Sequence, residues 1–354
     1  MKFKSLLLGI IGMGLAISGV IVANATLRVQ HSNALMQYPS SSLRTLNNRN
    51  VHFVKAPLNY AWSKNPNDVD TLKSVSGVKW AFRTKYLLPV THTALGKSIY
   101  DMTNPQAAVV TGNYLFALYA PHNTIGKGFI VRYDLNKLNQ MSLGSVQAAL
   151  GTRPAAGMRV GPQFTVGHGQ SLAYDQKHHS LWMWRDRADM KPTTRATIQK
   201  ISPSKLKPEK IIQFSMNHHG ANVPAGHNLT FDHSGHAYWW ETSNNKVKLY
   251  RGIFGEHSVK VSLTKQLLRK RTGTHEQAIG YNAHNGRLYL VSDDSVQTLP
   301  ARKTYGNGHL KPSDIKYTRF HSGREFEGLT FDHTGHAMLL TNRNPELMRS
   351  TSRY

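Results

Sequence analysis

Short stretches in which apolar and polar residues alternate, each followed by a polar turn and a second apolar stretch, recur four times in the second half of the chain. They are GQSLAYDQKHHSLWMW (169–184), HNLTFDHSGHAYWW (227–240), EQAIGYNAHNGRLYL (276–290) and FEGLTFDHTGHAMLL (326–340). Alternation over a few residues marks a strand with one buried face, so each copy predicts a hairpin. Aligned on the turn residue (Asp175, Asp232, Asn282, Asp332), the copies lie 57, 50 and 50 residues apart. A weaker fifth copy, Gln106–Leu118, puts Thr111 at the turn, 64 residues before Asp175. Self-similarity at this period predicts an all-β fold of the β-propeller type, one blade per repeat. Gly235, Gly286 and Gly335 in the turns supply the positive φ that tight hairpins need.

The count of repeats predicts five blades. Six remain open, because residues 45–100 are long enough for a degenerate unit. The last copy leaves room for about three strands before Tyr354, so a strand from the 45–90 region must complete the last blade and close the ring. Residues 51–354 are therefore expected to form one domain.

The amino end differs. Met-Lys-Phe-Lys leads into an apolar stretch from Leu6 to Val22 and then Ala23-Asn24-Ala25, the pattern of a cleavable export signal over 1–25. The alternative is an uncleaved anchor. Residues 26–50 are polar and read as a linker. The chain has no cysteine, which excludes disulfides, thiolate metal sites and a cysteine nucleophile. An exported chain without cysteines suits a Gram-positive bacterium, secreted or held at the cell surface.

Lys and Arg number 44 against 19 Asp and Glu, a formal charge of +25. Such a surface attracts polyanions. Outside the cytoplasm these are teichoic acids, acidic envelope glycans and anionic membrane surfaces; nucleic acid is not expected, and the protein is expected to be a monomer.

Five residues before each turn position stand Gln106, Gln170, His227, Gln277 and Glu327. The first strand of a blade lies nearest the axis, so these polar residues line the central channel. They either bind water, a cation or a sugar, or hydrogen-bond neighbouring blades and seal the channel. His168, His275 and Glu325, just ahead, would converge with His227 at one mouth. No histidine pair has a specific metal-site spacing, so neither a metal nor a cofactor is expected. Trp184 and Trp240, on second strands beside polar turns, are candidates for stacking on sugars if exposed. No nucleophile elbow, P-loop or HExxH motif is present, which argues against catalysis. Glu276, Glu325 and Glu327 keep open a propeller glycosidase, which needs two or three carboxylates around the axis.

Gln106–Leu118, followed by Asn123–Leu135, and the later strands Ser171–Tyr174 and His275–Tyr281 resemble the helveticin J-like proteins, large bacteriocins of lactobacilli. The resemblance spans about residues 90–340 in pattern. It implies an exported protein that binds or attacks the envelope of related bacteria. This chain departs from that pattern in its amino-terminal export segment and its more basic balance. The expectation is thus a non-catalytic envelope-binding protein with a helveticin-like antagonistic role. The rivals are a glycan-acting hydrolase and a surface scaffold for protein contacts.

Overall fold

The repeats become the five blades of a β-propeller, each antiparallel within itself, with blades 2 and 3 joined into one sheet by a parallel strand at their outer edges. In this computed structural model the described residues are 30–37, 44–64, 68–89, 104–120, 126–142, 157–186, 196–218, 221–222, 226–255 and 259–354. The segment 1–25, read as an export signal, lies outside them. Blade 1 runs outward from the axis as Pro105–Thr111, Tyr114–Tyr119, Lys127–Asp134 and Met158–Val160. Blade 2 is Ala173–Asp175, Ser180–Trp184, Ala196–Ile201 and Pro208–His218. Blade 3 is Thr230–Phe231, Ala237–Ser243, Lys246–Phe254 and Val259–Leu263. Blade 4 is Ala278–Asn282, Arg287–Ser292, Ser295–Pro300 and Lys316–Arg319.

Blade 5 takes only three strands from the carboxyl end: Phe326–Phe331, Ala337–Thr341 and Glu346–Ser350. Its fourth is Ala81–Leu87, antiparallel to Glu346–Ser350. The predicted closure by an amino-terminal strand is therefore what is seen. Residues 45–100 do not add a sixth blade; the described part of that region supplies edge strands to blades 4 and 5. Two strands lie inside the stretch read as a linker. Gln30–Gln37 pairs in parallel with the outer strands of blades 2 and 3, and Arg44–Leu46 pairs with Gln266–Leu268.

Strand alternation decides where the core sits. Neighbouring residues of a strand face opposite sides of their blade, so each blade contributes to two interfaces. Trp182 and Trp184 pack toward blade 3, while Leu181 and Met183 between them pack toward blade 1. The buried apolar residues accordingly fall into five clusters, one at each interface around the ring, including the one between blades 5 and 1. Large aromatics fill the wedge between blades 2 and 3, where Trp239 stacks on Tyr250 at 5.4 Å between ring centroids and meets Trp184 at 5.2 Å. Full burial of each such ring contributes about 2–3 kcal/mol.

The hairpin turns also bind blades together. Gly235, Gly286 and Gly335 have the expected positive φ. Gly235 has a further reason to lack a side chain, because a Cβ there would come within 2.9 Å of the His178 ring from blade 2. Asp175, Asp232 and Asp332 accept from the backbone of their own turns, as recurring turn acids do.

A buried ion pair locks the seam. Arg324, just before blade 5, bonds Asp70 at 2.8 Å and Glu346 at 2.7 Å, and Thr84 of the closing strand donates to the other oxygen of Glu346 at 2.5 Å. Arg324→Ala would strand two carboxylates in the interior. We expect a loss of about 3–5 kcal/mol in urea unfolding.

Candidate functional site

The inner strands all run in the same sense, so the loops that precede them meet at one mouth of the channel. The turns joining second to third strands return to the same mouth. Each blade therefore brings two positions there, and in three blades they pair with the same spacing. His168 and Asp186, His275 and Asp293, and Glu325 and Arg343 are each eighteen residues apart. The first two put a carboxylate on a histidine residue, and the third inverts the order of charge.

In blade 2 the Asp186 carboxylate accepts the His168 backbone N–H at 2.7 Å and lies 2.5 Å from His227 Nδ1. Gly167 permits this, having φ +74° where a Cβ would meet the Asp186 carbonyl at 2.0 Å. The His168 and His227 rings are 5.3 Å apart. His227 is thus drawn to the mouth and does not join the axial ring predicted for it. Nearby, Glu276 accepts from the Thr242 backbone N–H, and its burial pushes its carboxyl pKa upward.

In blade 4, Asp293 is almost fully buried and collects three partners. His275 Nδ1 lies 2.8 Å from one oxygen; the Tyr60 hydroxyl at 2.9 Å and Gln277 Nε2 at 3.3 Å donate to the other. The hydrogen bond to Asp293 raises the His275 pKa above its ordinary value, against a smaller opposing effect of burial. With Nδ1 committed to Asp293, Nε2 is the nitrogen left for proton exchange, on a side chain 51% exposed. Burial and the nearby charges of Asp293, Glu325 and Glu327 hold the Tyr60 hydroxyl protonated, its pKa far above the ordinary value.

Below the mouth, on the axis, Glu327 is 2% exposed. Its carboxylate accepts from Gln170 at 2.8 Å, Asn342 at 3.2 Å and Gln106 at 3.4 Å, joining blades 5, 2 and 1. Three of the five predicted axial residues therefore seal the channel by bonding between blades. Desolvation, then the charge of Glu325, pushes the Glu327 pKa well up. Beyond this layer the channel is lined by Leu172, Leu229, Ile279 and Leu329 and opens on the opposite face, leaving a cavity of about 70 Å³.

Trp184 and Trp240 are each 1% exposed and lie inside the interfaces between blades. Neither has a face for a sugar, because the strands that carry them are covered on both sides. Sequence reasoning missed Asp186, Asp293, Tyr60 and Arg343. The first, second and fourth carried a readable signal, a charged residue eighteen positions after each mouth residue. Tyr60 carried none, since the amino-terminal segment stands outside the repeat.

Among the described residues no group of three or more histidine, aspartate or glutamate side chains is placed to hold a metal ion. No helix among them is long and apolar enough to cross a membrane.

No family model matches the chain, and no curated protein does. Among solved structures, a glucose dehydrogenase aligns with 80% of this chain and 99% of its own at 12% identity and a TM-score of 0.37. The aldose sugar dehydrogenase of Escherichia coli aligns over 81% of this chain and 100% of its own at 11% identity and a TM-score of 0.36. A protein of Bacteroides uniformis assigned as a 6-phosphogluconolactonase aligns over 81% and 83% at 10% identity and a TM-score of 0.35. At this distance the function has to come from the chemistry of the mouth itself.

The raised pKa of Glu327 makes a pH test available. A carboxyl that binds its proton more tightly when folded stabilises the protein fully below its unfolded pKa, and that contribution is lost as pH rises through the folded value. Glu327→Gln does not titrate. Thermal midpoints from pH 4.5 to 8 should therefore shift in favour of the variant, relative to the parent, as pH rises; parallel curves would contradict the assignment.

Proposed function

We propose that the protein is a carbohydrate-acting hydrolase, working on envelope glycans, with its reaction at this mouth. The observation that carries the reading is the His275 imidazole, held through Nδ1 by a buried aspartate while half of its side chain stays open to solvent. This is the arrangement of a general base. His275 takes a proton from a water molecule, the water oxygen attacks the electrophilic carbon of a glycosidic or sugar-ester bond, and the departing oxygen takes up a proton, from the imidazolium at an ester carbonyl and from a second acid on the opposite face at an anomeric carbon. Asp293 orients the ring and offsets the charge it gains. Arg343, paired with Glu325 at 3.3 Å, brings a positive group to the same rim.

The distribution of charge supports a second reading. Asp186, Glu276, Asp293 and Glu325 gather at the mouth, with Glu327 below them, although the chain carries only 19 acidic residues against 44 basic ones. The chain as a whole still carries a large basic excess, which would hold the protein to teichoic acid by long-range attraction. Binding without catalysis, with a helveticin-like antagonistic role, follows if that attraction is the whole function.

One assay separates the two. The purified protein is incubated with Gram-positive cell walls, with and without teichoic acid, across a salt series, and both retention and released soluble sugar are measured. Release that falls by about 10²–10⁴-fold in His275→Asn, with retention unchanged, is the expected result. The active limb should rise with pH above the ordinary histidine range, because the His275 pKa is raised. Retention that needs teichoic acid, weakens with salt and releases no sugar would establish the second reading instead. No retention and no release would overturn both.

A further inference from the structure

The backbone from His52 to Ser63 forms no regular strand, yet it is fastened along its length. Val54 N donates to Thr272 O at 2.8 Å, Ala56 N to Thr274 Oγ1 at 2.9 Å, Ala61 N to Gly323 O at 2.8 Å and Ser63 N to Arg343 O at 3.0 Å. Tyr60 is tied to Asp293, and Tyr317 donates to the His52 carbonyl at 2.7 Å. These anchor points are the loops before the inner strands of blades 4 and 5, the returning turns of both blades and, at the His52 end, the outer strand of blade 4. The segment is thus a strap laid along the rim beside His275, Glu325 and Arg343.

On this fixed backbone stand large apolar side chains that the fold leaves in water. Trp62 is 66% exposed, Leu58 99% and Phe53 49%. Only three other large hydrophobic residues are comparably exposed among the described residues, and they are scattered elsewhere. An aromatic side chain on a backbone already fastened has less freedom to lose when it is covered, which suits recognition. Trp62 adjoins Ser63, whose N–H reaches Arg343, so an apolar platform meets a rim of carboxylates, an imidazole and a guanidinium.

We propose that the strap is a sugar-binding subsite of the mouth, with Trp62 stacking on the C–H face of a pyranose ring while Glu325, Arg343 and His275 meet its hydroxyls. It rests on the reading of the mouth as a carbohydrate site and names the substrate class: a glycan of uncharged or amino sugars. The acidic groups at the mouth, Asp186, Asp293 and Glu325, disfavour acidic polymers and anionic lipid headgroups at this spot.

The test uses the full chain and four probes: chitotetraose, its de-N-acetylated form, polygalacturonate and phosphatidylglycerol vesicles. Binding is followed by calorimetry at 0.15–0.5 M salt, where the outer surface is screened. Parent protein should bind one or both chito-oligosaccharides and neither polyanionic probe. Trp62→Ala, a surface change that spares the fold, should weaken that binding about tenfold or more. Glu325→Gln and His275→Asn should each weaken it as well, by less than Trp62→Ala does. Equal binding by Trp62→Ala and parent, binding confined to polygalacturonate or vesicles, or no binding to any probe would overturn the subsite. Trp62-dependent binding with no sugar released from walls would leave the subsite standing and remove the hydrolase.

Discussion

Arg324 reaches across the place where the two ends of the chain meet, and the ring exists because that place is closed. Its guanidinium holds Asp70 from the amino-terminal side and Glu346 from the last blade, while Thr84 of the inserted strand grips the same glutamate. A buried carboxylate is costly without such partners, so the contact discriminates between a joined and an open seam more than it adds net stability. Every other interface depends on closure. Each blade buries two faces, and an open ring would leave the faces of blades 5 and 1 in water.

Closure also creates the mouth. Five inner strands run the same way around one axis, so one register of the repeat delivers every candidate group to one end. The fold sorts those groups by depth. Glu327, bound by amides from three blades, belongs to the seal of the channel; His275, His227 and Glu325 stand above it, each beside an opposite or complementary charge. Acidic groups gather there in a chain whose overall balance is strongly basic, with Arg343 the cation paired to Glu325 among them.

The architecture was legible because period-two alternation and a recurrent Asp–Gly turn are local signals that survive in every copy. Blade number and closure followed from counting, and residues 168, 275 and 325 share a register of the repeat, a local signal that the sequence carries. The tryptophans were the weaker inference. Trp184 and Trp240 sit beside polar turns, yet both sides of their strands are covered by neighbouring blades, a fact of tertiary packing that alternation alone does not show. Asp186 and Asp293 escaped notice since their importance lies in pairing across a hairpin rather than in any motif. The strap escaped entirely, because Tyr60 and Trp62 belong to no repeat and owe their position to backbone bonds with loops more than two hundred residues away.

The closing strand has a consequence for how the chain is made. Ala81–Leu87 is synthesised early, yet its partner strand comes near the carboxyl terminus; Thr84 and Glu346 are 262 residues apart. Throughout synthesis it is an unpaired edge, the kind of segment that recruits other chains into sheets. Arg83 and Lys85 interrupt its apolar residues with charge, so the strand that completes the ring also carries the means to remain solitary until the last blade arrives.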